Sequence, residues 1–208
     1  MFRQLVAPIL LSLLLLCTVG EITGCKGKPS DEKLVEAWTL CENLKYEQAF
    51  PIIREYLLHY PDNSVAHYLL GKCYQKREHP ALTLAKGELD MARFLFERDR
   101  NLSVLGEAMT AEQFQATLHC DTVSILLSTI IEAEEQGMPP EEGTPILRIA
   151  LEHARKAVEL NPESPFIIDL AHTLETMLES AEKAKKYKTP EVFETPEPKP
   201  PSPGQWLT

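Results

Sequence analysis

Leu147-Arg-Ile-Ala150-Leu-Glu-His-Ala154-Arg-Lys-Ala157-Val-Glu-Leu160-Asn-Pro162 is the stretch on which the fold turns. Leu147, Ala150 and Ala154 recur at the spacing of one helix face, and Asn161-Pro162 breaks the run. The same layout occurs earlier, at Tyr46-x-x-Ala49-x-x-x-Ile53 followed by Pro61. Twelve residues separate alanine from proline in both copies. Helical spacing continues outward from them. Leu34, Ala37, Trp38 and Cys41 make one stripe, and Phe50, Ile53, Tyr56 and Leu57 another. Val65, Tyr68 and Leu69 follow the turn cluster Tyr60-Pro61-Asp62-Asn63. A helix from about Leu82 to Arg98 is predicted to turn Leu89, Ala92, Phe94, Leu95 and Phe96 inward. Thr110-Ala111-Glu112-Gln113 has capping-box form and starts a long helix to Gln136. That helix rests on Phe114, Leu118, Val123, Leu126, Leu127, Ile130 and Ile131, and Gly137 with Pro139-Pro140 stops it. Thr144-Pro145 reads as N-cap and first-turn proline of the next helix, and Ser164-Pro165 repeats the device for a last helix reaching Tyr187. No run alternates apolar and polar residues convincingly between Ser30 and Tyr187. The expected fold class is all-α with about seven helices.

His67-x-x-Leu70-Gly71-x-x-Tyr74 supplies a front half for the unit. Together these segments resemble the tetratricopeptide repeat, W-x-x-L-G-x-x-Y, then A-x-x-x-F, then P, with a period near 34. The resemblance covers about half of the chain. His67 stands where the family has Trp. Pro61 and Pro162 lie 101 residues apart, close to three periods, yet no matching unit falls at the intermediate marks. A generic helical bundle is the competing reading. The resemblance implies antiparallel helix pairs stacked as a short right-handed solenoid, with small residues (Ala49, Gly71, Ala150, Ala171) where helices cross closely. It also implies a concave groove lined by the first helix of each pair. Carried over by register, that groove holds Trp38, Tyr68, Lys72 and Gln75, with His172 and Glu175 from the last helix. Tyr68 and Lys72, one turn apart, would grip an apolar side chain and an acidic group together. In the competing view Tyr68 is simply core and Lys72 is solvated.

Both ends of the chain read differently. Arg3 precedes an apolar run from Leu5 to Val19, interrupted by Pro8, which is the form of a secretory signal. Ile22-Thr23-Gly24-Cys25 resembles the lipobox of bacterial lipoproteins. That resemblance implies acylation at Cys25, cleavage just before it, and two or three chains anchoring the product. Ordinary cleavage after Thr18-Val19-Gly20, or a retained spanning helix, are the alternatives. Lys26 in place of Asp implies sorting to the outer membrane, facing the periplasm. Residues 1–24 are then signal, 25–30 lipidated tether, 31–187 the helical domain and 188–208 a disordered Pro- and Glu-rich tail. The tail ends in Trp206-Leu207, an apolar tip with docking potential.

No chemistry is nominated. The sequence lacks G-x-G-x-x-G, G-x-x-x-x-G-K-[ST], H-E-x-x-H and G-x-S-x-G. His119-Cys120-Asp121 does not converge on a helix, where neighbours point about 100° apart. Cys41, Cys73 and Cys120 lack zinc-site spacing and read as small buried residues; a Cys41–Cys73 bridge is the minor alternative. Net charge −10 lacks the basic footprint of a nucleic-acid binder. Neither cofactor nor metal is expected. The chain reads as a membrane-anchored scaffold that binds an envelope protein or peptide in outer-membrane, pilus or secretion assembly. A cell-wall enzyme or accessory factor, with Glu132, Glu135 and Glu141 converging, is the alternative, and a released soluble protein is another.

Overall fold

A computed structural model describes residues 30–106 and 109–188; Cys25, Trp206 and Leu207 lie outside them, as do the signal and tail segments. Among the described residues there are seven α-helices and no strand. They are α1 (Asp31–Glu42), α2 (Tyr46–His59), α3 (Ser64–Lys76), α4 (Leu82–Asp99), α5 (Ala111–Glu135), α6 (Thr144–Leu160) and α7 (Pro165–Lys188). A 3₁₀ turn, Pro140–Gly143, precedes α6. Each helix packs on the next in sequence, and α1 also packs on α3.

Local chemistry places the helix ends. The Asn63 side chain accepts from Ala66 N–H at 2.9 Å and starts α3. The capping box at α5 is reciprocal, Gln113 N–H to Thr110 Oγ1 and Thr110 N–H to Gln113 Oε1. Gly137, at φ +95°, closes α5, with Met138 N–H bonded to the Ala133 carbonyl and Gly137 N–H to that of Glu134. That is the Schellman pattern. The same pattern closes α1: Lys45 N–H reaches the Leu40 carbonyl and Leu44 N–H that of Cys41. Here, however, leucine rather than glycine holds the left-handed position, at φ +59°. Thr144 does not cap α6 as expected. Gly143 does, because the 3₁₀ turn winds straight into the helix and carries Thr144 into its first turn, where it is buried.

α3 is the centre of the first half. Ser64, Val65, Ala66, Tyr68, Leu69, Leu70, Gly71, Cys73 and Gln75 are all buried, so the helix is enclosed on nearly every side. α5 links the halves. Its Phe114, Leu118 and Ile125 join the core built by α1 to α4, while its Val123, Leu126 and Ile130 join α6 and α7. It is long and apolar enough to cross a membrane by length and composition, but half of that stretch is buried within the protein. Two residues expected inward are exposed, Phe94 on α4 and Ile131 on α5. The α4 core stripe runs Leu89, Ala92, Leu95, Phe96 and turns Phe94 away; Ile130 takes the inward position on α5.

Pro61 follows α2 and Pro162 follows α6, so the 101-residue offset between them holds two helix pairs rather than three. The connection from Arg100 to Thr110 and the 25-residue α5 absorb the difference. Of the small residues expected at crossings, Ala49 and Ala150 are fully buried. A Cβ built on Gly71 would lie 2.9 Å from Leu89 Cδ2 and 3.1 Å from the Ala85 carbonyl oxygen, whereas one on Gly87 meets nothing within 4 Å. Gly71→Ala should therefore destabilise the fold by about 1–2 kcal/mol. Gly87→Ala, in an exposed helix interior, should stabilise it by about 0.5–1 kcal/mol. Urea unfolding of the two variants checks the opposite signs.

Candidate functional site

The cleft between α1 and α3 is built on aromatic packing. Trp38 on α1 lies over Tyr68 on α3 with ring centroids 5.7 Å apart. Tyr68 meets Phe114 of α5 edge-on at 5.3 Å, and Phe114 meets Phe96 of α4 at 4.9 Å. An unbroken row of rings thus runs from the surface into the core. Beside Trp38 opens a cleft of about 290 Å³, walled by Tyr46, Tyr68, Lys72 and Met109, with Leu44 on its lip. Leu44 is 75% exposed.

The structure brings four of the expected groove residues into this region and gives three of them structural work. Tyr68 is core, as the competing view has it. Its hydroxyl is pushed well above the ordinary tyrosine range, first by burial and then by the carboxylate of Asp121. Lys72 is neither free nor solvated. Its Nζ lies 2.8 Å from Asp121 Oδ1 of α5, with side chains only 19% and 15% exposed. The acidic group it was expected to grip in a partner is therefore supplied by the chain itself. Gln75 is buried and donates through Nε2 to Ser124 Oγ at 2.9 Å. Lys72 and Gln75 thus clamp α3 to α5, and only Trp38 offers a half-exposed face to the cleft. His172 and Glu175 are not brought together with it. They lie on α7, which packs on α6, and Glu175 pairs across that surface with Arg155 at 2.9 Å.

Sequence reasoning missed a second cleft. His119 of α5 and His153 of α6 meet Nδ1 to Nδ1 at 2.8 Å, beside a polar opening of about 520 Å³ that also holds Arg93, Glu97, Lys156 and Glu159. The rings come together only because α6 folds back along α5. Burial holds His119 down to about 4, and His153, Arg93 and Lys156 add to the effect. His153 is lowered as well, by burial and then by Arg93 and Lys156. At neutral pH the contact is a hydrogen bond between neutral imidazoles, one donating and one accepting. His119 thus turns away from Cys120 and Asp121, as expected for adjacent helical residues. His67 behaves oppositely. Burial lowers it, but the Glu88 carboxylate at 2.6 Å and the Pro61 carbonyl at 2.7 Å outweigh this and raise it. Among the described residues no three His, Cys, Asp or Glu side chains converge as a metal site would require. Glu132 and Glu135 are exposed.

No family model and no curated protein matches the chain. Among solved structures it is similar to a chain in the crystal structure of a T3SS complex from Aeromonas hydrophila, at 17% identity and a TM-score of 0.45, over 86% of this chain and 98% of that one.

The histidine contact carries a pH prediction. A histidine whose folded pKa lies below its unfolded value binds more protons when unfolded, so stability rises with pH between the two values. His119 should make its full contribution above about pH 6.5 and lose it toward pH 4. His119→Gln should flatten that part of the curve by up to about 3 kcal/mol relative to the parent. Urea unfolding of both proteins at pH 7 and pH 4.5 measures the difference, and equal slopes would count against the pair.

Proposed function

We propose that this chain is a membrane-anchored helical scaffold of the bacterial envelope, holding a partner protein in the cleft beside Trp38. Leu44 is the observation that carries the reading. A leucine three-quarters exposed to solvent contributes little burial. A leucine at φ +59° costs about 1–2 kcal/mol that glycine would not. Strain kept at an exposed apolar side chain on the lip of an aromatic cleft points to a use outside the fold. With Trp38, Tyr46 and Met109 it makes a small apolar seat suited to one or two large side chains of a partner. The reading does not use Lys72, whose charge is satisfied internally.

The anchor rests on Ile22-Thr23-Gly24-Cys25 and on the apolar run before it. Lipid on Cys25 would hold the helical domain close to the membrane, since the five residues from Lys26 to Ser30 reach less than ~18 Å. Trp206-Leu207 would give a second contact to the same assembly. Catalysis forms no part of the proposal.

Two experiments test it. Leu44→Gly should raise the melting temperature, because glycine accepts the left-handed backbone, and should weaken partner crosslinking in intact cells. Trp38→Ala should weaken crosslinking as well. Unchanged crosslinking in both would remove the cleft from the reading. Cys25→Ser should release the protein from membranes and abolish incorporation of labelled palmitate; a variant that stays membrane-bound, with an unlabelled parent, would dispose of the lipid anchor.

A further inference from the structure

Where α1 lies against α3, two thiols face each other. Cys41 Sγ and Cys73 Sγ are 3.9 Å apart, although 32 residues separate them in the chain. Both are buried and neither is bonded to the other. A disulfide requires the sulfurs to close from 3.9 Å to about 2.05 Å by rotation about the two Cα–Cβ bonds. Cys120, on α5, is not part of the pair and packs with Ala116, Ala157 and Ile167.

The two thiols are not equivalent. Cys41 borders the α1–α3 cleft, while Cys73 is completely enclosed and reaches the Tyr46 carbonyl at 3.6 Å. Cys41 ionises more readily than an ordinary thiol, because its hydrogen bond with Cys73 favours the thiolate and the Lys72 cation lies near, against the effect of burial. Cys73 is correspondingly held in the protonated state by Cys41 and by its own burial. The sulfur that borders the cleft is thus also the one that ionises more readily, and its neighbour is placed to resolve what forms on it.

We propose that Cys41 and Cys73 form a dithiol–disulfide pair that closes by exchange with an external disulfide and locks α1 to α3. Cys41 gives its proton to water, and the thiolate attacks one sulfur of a disulfide R–S–S–R. A mixed disulfide forms and one R–S⁻ leaves. Cys73 loses its proton to that leaving thiolate and attacks the Cys41 sulfur. The Cys41–Cys73 bond forms, and the second R–S⁻ leaves and takes a proton from water. Two protein thiols are oxidised and one external disulfide is reduced to two thiols. Formation of the mixed disulfide discharges Cys41 and removes the interaction that held the Cys73 proton.

The bond would enclose the whole of α2 in a covalent loop and join the two helices that wall the cleft. The inference does not rest on the scaffold reading, and its test involves no partner. Full-length protein, reduced and then equilibrated in oxidised and reduced glutathione, is mapped by non-reducing mass spectrometry. The expected result is one linked pair of peptides carrying Cys41 and Cys73, absent from Cys41→Ser and Cys73→Ser and retained in Cys120→Ser. A rise in melting temperature of about 5–10 °C, reversed by dithiothreitol, should accompany it. Because mapping of the parent protein decides the bond, a variant that folds poorly leaves the test intact. The inference fails if both thiols stay alkylatable in native protein under excess oxidised glutathione. It fails equally if the bridge forms only in urea, or if Cys120 replaces either partner.

Discussion

The close approach of α3 and α4 at Gly71 is the constraint on which the rest of the molecule depends. Leu89 and the Ala85 carbonyl occupy the space that any side chain there would need. That approach lets α3 sink until almost its whole circumference is buried, with α2 and α4 packed on it and α1 alongside. A helix enclosed in this way cannot present a polar face to water. Its buried polar residues need partners inside, as Lys72 has in Asp121 and the Gln75 amide N–H in Ser124.

Those internal partnerships decide what remains free for function. A buried ion pair contributes little net stability, because desolvation offsets the attraction, but removing one partner leaves the other stranded. Lys72 and Asp121 are thus bound to each other more by the cost of separation than by strength of attachment. The same is true in milder form of Gln75, whose Oε1 has no partner. The cleft between α1 and α3 is left mainly apolar, with the left-handed Leu44 on its lip. The two thiols meet under the same surface, where α1 and α3 run side by side.

α5 joins this region to the second half. It carries Phe114 and Asp121 toward α3, then His119 toward α6, and so couples an aromatic row, a salt bridge and an imidazole pair along one rod. Its 25 residues account for much of the stretch between Pro61 and Pro162.

Helix existence, most helix ends and the small residues at crossings were legible in the chain, because each follows from interactions within three or four residues: Thr110 with Gln113, Asn63 with Ala66, Gly137 after Glu135. The close contact at Gly71 matches what the repeat resemblance implied for that position. What only the tertiary structure decided is which polar and reactive groups meet. Lys72 and Asp121 are 49 residues apart, His119 and His153 are 34 apart, and Cys41 and Cys73 are 32 apart. Helical periodicity tells which side of a rod a residue faces, but not which other rod lies there or how far along. That rotation and offset come from packing whole helices together, so the partners of Tyr68, Lys72 and Gln75, and the separation of His172 and Glu175 from Trp38, could be found only after the helices were assembled.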